Sequence, residues 1–165
     1  MAKPRPIDGL DADQPYTAAA AKVVAVRARE VADHSHDVLD TGDIERVHDM
    51  RVATRRLRAA LEVFAPCFPK REHKQVLRDV KDVADALGER RDADVAIDAL
   101  DRFGEGLAAP DRPGIAGLVE RIRAEQAEAN ARLEGSVGSR RLAALSERLS
   151  ELVIRAEANV EAPGE

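Results

Sequence analysis

The sequence predicts an all-α fold, an antiparallel bundle of about four long helices. Alanine, valine and leucine make up most of the apolar residues, and only four residues are aromatic. Glycine and proline are confined to a few short stretches, and the segments between them are long and rich in good helix formers. A chain of 165 residues suits one domain with a modest hydrophobic core.

The chain is expected to divide into three segments. Residues 1–14 carry prolines and a glycine without helical periodicity, which predicts a flexible leader. Residues 15–158 are expected to form the helical bundle, and residues 159–165 a tail. The first helix should begin near Tyr16 and run to about Leu39, after which a turn sequence interrupts it.

The second helix is expected over residues 44–65, with Asp43 as its N-cap. A short segment with two prolines separates it from a third helix, which begins near Lys70 and runs to about Phe103. Gly88 is expected to cap or kink this third helix. The core seam of the third helix is predicted at heptad-like spacing, on Leu77, Val80, Ala84 and Leu87.

Residues 104–114 are rich in glycine and proline and predict a loop. One final helical stretch should follow over about residues 115–158, either continuous or interrupted around Gly135–Gly138. With this stretch counted once, the bundle has four main helices.

The second helix carries a row of basic residues beside an apolar stripe. At about 100° per residue, four basic positions fall within roughly 80° of one another. Guanidinium groups at one-turn spacing suit a ligand with repeated phosphates, because each group holds two oxygens at once. The alternative is a solvated face with i,i+4 ion pairs, but most of these arginines lack a carboxylate at that spacing. The basic row is His48, Arg51, Arg55 and Arg58, and the apolar stripe is Val47, Met50, Thr54, Leu57, Leu61 and Phe64.

The third helix repeats this design, since Lys74, Arg78 and Lys81 lie within about 60° of one another beside the core seam. Two helices joined by a short loop pack antiparallel, so both rows would face a shared groove if the helix rotations agree. Residues 46–91 hold 12 basic and 7 acidic residues in a chain whose net charge is −5. This distribution favours a focused anion site over general adhesion to nucleic acid or lipid.

Other function classes lack support in the sequence. Cys67 is the only cysteine, which excludes a disulfide framework and a thiolate metal cluster. His34 and His36 stand two residues apart on the expected first helix and would point in opposite directions, so no metal site is expected. No phosphate loop, nucleophile–base arrangement or magnesium-type carboxylate cluster is found, so we expect no enzyme, no catalytic residue and no cofactor. The lack of a long apolar run and the scarcity of aromatic residues predict a cytoplasmic protein without a membrane or nucleic-acid partner.

Two motifs resemble those of the CHAD domains, the conserved-histidine α-helical domains. The run His48-Asp49-Met50-Arg51-Val52-Ala53-Thr54-Arg55-Arg56-Leu57-Arg58 resembles their opening motif. The segment Leu87–Val95 resembles their second motif, which follows a helix with basic residues. The resemblance covers about residues 16–155 and implies an all-helical domain that binds inorganic polyphosphate through a basic surface. Such domains often accompany a triphosphate-hydrolysing CYTH domain or localise to polyphosphate granules.

On this interpretation the basic residues of both helices bind polyphosphate, with His48 as an adjunct. His48 contacts the anion or orients the arginines, or it forms a hydrogen bond to Asp92 or Asp94, or it accepts phosphate as in a phosphotransfer module. Arg91 either faces the anion or forms an ion pair with Asp92. The expected polyphosphate-binding residues are His48, Arg51, Arg55, Arg58, Lys74, Arg78, Lys81 and Arg91.

Domains of this family are usually about twice as long and contain a second helical bundle with its own basic helix. No segment after residue 110 resembles that helix, so the chain resembles the N-terminal half of such a domain. Either it works as half a site, or two copies associate and rebuild the two-bundle arrangement, and we expect the homodimer. The competing functions are a helical scaffold domain that docks an acidic partner and a histidine phosphotransfer module.

Overall fold

A computed structural model describes residues 3–161 and the side chains of residues 3–158. The regular elements of this part of the chain are all helices, without strands, so the predicted all-α fold is confirmed. Five α-helices form instead of about four, because the final predicted stretch is two helices that meet at Gly138. The helices are α1 (Tyr16–Asp33), α2 (Ile44–Val63), α3 (Lys70–Glu105), α4 (Arg112–Val137) and α5 (Ser139–Glu161), and a 3₁₀ turn at Ala65–Cys67 links α2 to α3.

The helix α1 ends at Asp33, six residues before the predicted end at Leu39. The segment that follows is a series of turns, and Asp37 adopts a positive φ of 53° that a right-handed helix does not allow. The start of α2 agrees with the prediction. The Asp43 side chain accepts a hydrogen bond from the backbone N–H of Glu45 at 3.2 Å, as an N-cap does.

The helix α3 runs through Gly88 without a cap, so this glycine does not end the helix as one prediction had it. A glycine inside a helix costs about 1 kcal/mol relative to alanine, and the contacts of α3 with its neighbours offset this cost. The following loop is shorter than predicted. Residues 106–111 form it, because α4 already begins at Arg112 with Pro113 in its first turn, where a missing N–H costs nothing.

The apolar stripe of α2 is buried as predicted, except that Phe64 is half-buried and lies 5.3 Å from the Tyr16 ring. The seam of α3 is wider than predicted. Val80 and Leu87 are buried, but Leu77 and Ala84 are half-buried. This difference arises because α3 contacts α2, α4 and α5, so its buried face also includes Val76, Val83 and Ala86.

Two ion pairs link α3 to α5 across their antiparallel contact. Arg155 Nη1 lies 2.9 Å from Glu72 Oε1, and one step further along both helices Arg148 pairs with Asp79. The two pairs are seven residues apart on each helix, so they lie on one face of α3 and one face of α5. Arg148 and Arg155 therefore face α3, a role that the sequence analysis missed.

The predicted leader lies against α1 over its described part. Arg5 forms an ion pair with Asp33, and Lys22 Nζ donates a hydrogen bond to the Gly9 carbonyl. The flexibility of this segment stays a prediction. The outermost residues of the predicted leader and tail, 1–2 and 162–165, lie outside the described residues.

Candidate functional site

The structure brings the basic rows of α2 and α3 together at one point. Glu62 Oε1 lies 3.0 Å from Arg58 Nε on its own helix and 3.5 Å from Lys81 Nζ on α3. One carboxylate oxygen therefore contacts a cation from each helix. The sequence left the relative rotation of the two helices open, and this contact places Arg58 and Lys81 on the same side of the bundle.

Glu62 is held in its ionised form by these neighbours. The hydrogen bond from Arg58, together with the charges of Arg58 and Lys81, lowers the pKa of Glu62 below its ordinary value, although desolvation acts in the opposite direction. The carboxylate thus stays negative at neutral pH and occupies the space between the two cations. Sequence reasoning missed Glu62 as part of the site, although its i,i+4 spacing from Arg58 was a visible signal.

The other members of the two rows differ in exposure. On α2, His48 and Arg51 are half-buried and Arg55 is exposed. On α3, Lys74 and Arg78 are exposed. We refer below to the α2 row (His48, Arg51, Arg55 and Arg58) and the α3 row (Lys74, Arg78 and Lys81).

Arg91 does not pair with Asp92, contrary to one prediction. Its guanidinium donates to the Ile44 carbonyl at 3.0 Å and lies 3.5 Å from Glu45 Oε1. Asp92 follows Arg91 and points about 100° away from it around the helix, and its side chain is exposed. Arg91 therefore joins α3 to the N-terminal turn of α2, and only 17% of its side chain is exposed.

The fully buried ion pair of this motif is instead Arg90 with Asp94, one turn apart on α3. Gln126 on α4 donates to the same Asp94 oxygen at 2.7 Å. Asp94 thus has its partners inside the bundle, and the predicted hydrogen bond from His48 to Asp92 or Asp94 is absent from the described contacts. The i,i+4 spacing of Arg90 and Asp94 was visible in the sequence, but their burial was not.

A buried histidine, His73, connects α2 to α3. His73 Nε2 donates to the Leu61 carbonyl at 2.8 Å, and its ring stacks on Phe68 at 5.9 Å. This contact ties the first turn of α3 to the last turn of α2. It helps to hold the antiparallel arrangement that places Arg58 beside Lys81, and no sequence pattern indicated this contact.

The two histidines considered for a metal site lie in a different setting from the one expected. His34 and His36 follow the end of α1 and lie in turns, so the argument from helical directions does not apply to them. Neither belongs to a cluster of three potential metal ligands among the described residues. Within the same range, no helix has the length and apolar character needed to cross a membrane.

Comparisons with known proteins identify a family and a partial relative. The family model described as "CHAD domain" matches residues 22–164. An uncharacterized protein of Mycobacterium tuberculosis (strain ATCC 25618 / H37Rv) is 38% identical over 64 residues, which is 39% of this chain and 12% of that protein. The match thus spans about one eighth of that relative, and no solved structure matches the chain. Because the family model covers most of the sequence, the chain belongs to the CHAD domain family.

Proposed function

We propose that the chain binds inorganic polyphosphate, without catalysis, through the surface formed by the α2 and α3 rows and Arg91. The main support for this proposal is the position of Glu62, whose carboxylate oxygen contacts Arg58 on one helix and Lys81 on the other. A phosphate oxygen is an anion of similar size and binds guanidinium and ammonium groups in the same way. Glu62 therefore marks a place where two helices together hold an anion.

The spacing of the α2 row suits a polymer better than a single phosphate. Arg51 and Arg58 are two helical turns apart, about 10.5 Å along the axis, and Arg55 lies between them. Successive guanidinium groups can each take two oxygens of successive phosphate groups. The exposed residues Lys74 and Arg78 add charge on the facing helix.

Binding without catalysis follows from the composition of the two rows. The α2 row, the α3 row and Arg91 consist of cations and the imidazole of His48, and Glu45, Asp49 and Glu62 are their acidic neighbours. None of them forms a nucleophile–base pair of the kind that phosphoryl transfer to a protein group needs. The phosphotransfer alternative is disfavoured further, because the carboxylates of Glu45 and Asp49 lie next to His48 and would repel a phosphate on its ring.

An acidic protein partner is the competing ligand, since the group that Arg58 and Lys81 hold now is a carboxylate. The two ligands differ in charge density. A polyphosphate presents charge at every unit and can replace Glu62 with several contacts at once, whereas an acidic segment presents isolated carboxylates on flexible side chains. We therefore rank polyphosphate first.

Calorimetric titration with long-chain polyphosphate at two salt concentrations tests the proposal, with duplex DNA and poly-glutamate as comparators. We expect binding that weakens steeply with salt, with a slope that reports the number of phosphates engaged. The variant Arg55→Gln/Arg58→Gln should bind more weakly, whereas Arg121→Gln/Arg123→Gln, on the exposed face of α4, should bind as the wild type does. Absence of binding at low salt, or equal losses in both variants, would contradict the proposal.

We also propose that two copies associate and rebuild a two-bundle arrangement. Light scattering coupled to size exclusion, with and without polyphosphate, tests this idea. A dimer in either condition is the expected result. A monomer in both conditions would leave a single bundle as the binding unit.

A further inference from the structure

The far ends of α3 and α4 extend beyond the start of α2. Arg91 on α3 contacts Ile44, the first residue of α2, and α3 continues from there to Glu105, about 21 Å further along its axis. Residues 95–125 form a helical hairpin in this region, which we call the arm. Of these residues, all of which the structure describes, only Val119 is buried, and it does not belong to the main hydrophobic core. The arm therefore leaves apolar surface open to a partner.

The two sides of the α3–α4 hairpin differ in character. On one side Asp101 on α3 pairs with Arg123 on α4 at 3.9 Å, so this side is polar. On the other side, at the base of the arm, is an open groove of about 560 Å³, and all the residues that line it belong to α3 and α4. The apolar floor of this groove is formed by Ala93, Ala96, Ile122 and Ala129.

An apolar seam on α3 continues from this groove along the arm. The seam consists of Ala93, Ala96, Leu100 and Phe103. Successive members are three, four and three residues apart, which is heptad spacing, and all lie within about 80° of one another around the helix. Leu100 is half-buried, and Phe103 is 59% exposed. The inner half of the seam thus holds small residues and the outer half large ones.

We propose that two copies of the chain associate through this seam, with their α3 helices antiparallel. A twofold axis near residue 98 places Phe103 opposite the partner's Ala93 and Leu100 opposite the partner's Ala96. Each contact then occurs twice, as a closed twofold interface requires. Every large side chain of the seam meets a small one, so the two helices interdigitate, and each Phe103 ring enters the groove of the other copy. Aromatic residues that fill a pocket in this way commonly dominate the affinity of an interface.

The charges at the edge of the groove favour the same register. Glu89 and Asp92 lie at this edge. In the antiparallel register they face the partner's Leu107 and the partner's Gly104, which carry no charge. A parallel pairing would place each carboxylate beside its own counterpart, where the two repel each other, and would set the two Phe103 rings against each other. The seam therefore fits a second copy of this chain in the antiparallel direction.

This inference rests on the association of two copies proposed above, for which it supplies the surface. Analytical ultracentrifugation of the full chain measures the dimer dissociation constant in the wild type, Phe103→Ser and Ile154→Ser. We expect Phe103→Ser to raise this constant at least about thirtyfold, as the loss of an aromatic anchor commonly does. Ile154 is 62% exposed on α5, so Ile154→Ser is the matched control and should dimerise as the wild type does. Circular dichroism checks that both variants retain the helical fold.

The outcomes separate this surface from the other proposals. A dimer that is equally tight in Phe103→Ser and the wild type, or equally weakened in both variants, would overturn the surface, while the association of two copies would stand. A wild type that stays monomeric at every concentration would overturn the association and the surface together. Polyphosphate binding is decided by its own calorimetric titration in either case.

Cysteine cross-linking tests the antiparallel register. Ala96→Cys and Leu100→Cys are prepared separately and oxidised, each alone and as an equal mixture. The two positions face each other across the proposed interface, so the mixture should give more cross-linked dimer than either variant alone. The natural Cys67 is buried and serves as the background in the wild type. Cross-linking of Ala96→Cys alone that equals or exceeds that of the mixture would overturn the register.

Discussion

Replacement of Glu62 by glutamine should tighten polyphosphate binding. In the wild type the ligand has to displace Glu62 from Arg58 and Lys81, at 3.0 and 3.5 Å. The side chains of Glu62, Arg58 and Lys81 are 43%, 41% and 41% exposed, so each pair is screened and contributes roughly 0.2–1 kcal/mol. Glu62→Gln removes both pairs and keeps the shape of the side chain. The cost avoided on binding is therefore about 0.4–2 kcal/mol, which corresponds to about 2- to 30-fold tighter binding.

Calorimetry at fixed salt measures this change, with Glu147→Gln as the control. Glu147 is exposed on α5, and its replacement changes the net charge by the same amount. The control therefore reports the general electrostatic effect, and only the excess in Glu62→Gln belongs to the site. Weaker binding in Glu62→Gln, or a gain no larger than that of the control, would refute the idea that Glu62 occupies a phosphate position.

The pH dependence of stability follows from the same ion pairs. Arg58 and Lys81 lower the pKa of Glu62 in the folded protein below its ordinary value of 4.5. The stabilisation is therefore fully present above about pH 4.5 and is lost as the pH falls through the lowered pKa. Urea unfolding across acidic pH should show a smaller loss of stability in Glu62→Gln than in the wild type. An identical loss in both proteins would mean that the pairs do not persist in solution.

The remaining predictions concern the contacts that hold α2, α3 and α4 together. His73→Ala should lower the free energy of unfolding by about 1–3 kcal/mol, because the Leu61 carbonyl loses its buried donor, and urea denaturation measures this loss. Asp94→Ala should cost about 3–5 kcal/mol, because Arg90 then remains buried and uncompensated. The double variant Arg90→Met/Asp94→Leu should be more stable than Asp94→Ala, since it leaves no buried charge. An equal or lower stability of the double variant would show that the ion pair contributes more than charge compensation.

The sequence was sufficient for much of the fold, for reasons that are local. The N-cap at Asp43 and the buried stripe of α2 follow from hydrogen-bonding capacity and helical periodicity, which act within a few residues. The end of α1 was misplaced because residues 34–39 are not strong helix breakers, and the turn at Asp37 depends on how the chain reaches α2. Gly88 was misread for the opposite reason, because packing on neighbouring helices outweighs a single unfavourable propensity.

For the candidate site, the two rows of basic residues could be predicted from the sequence, because charge type and angular position are properties of a single helix. Helix packing, in contrast, brings Arg58 and Lys81 together at Glu62, places Arg91 against the first turn of α2, and buries Arg90 inside the bundle. These facts depend on the rotation of each helix about its axis and on the register between helices. Many distant contacts set both quantities together, and no local pattern encodes either one.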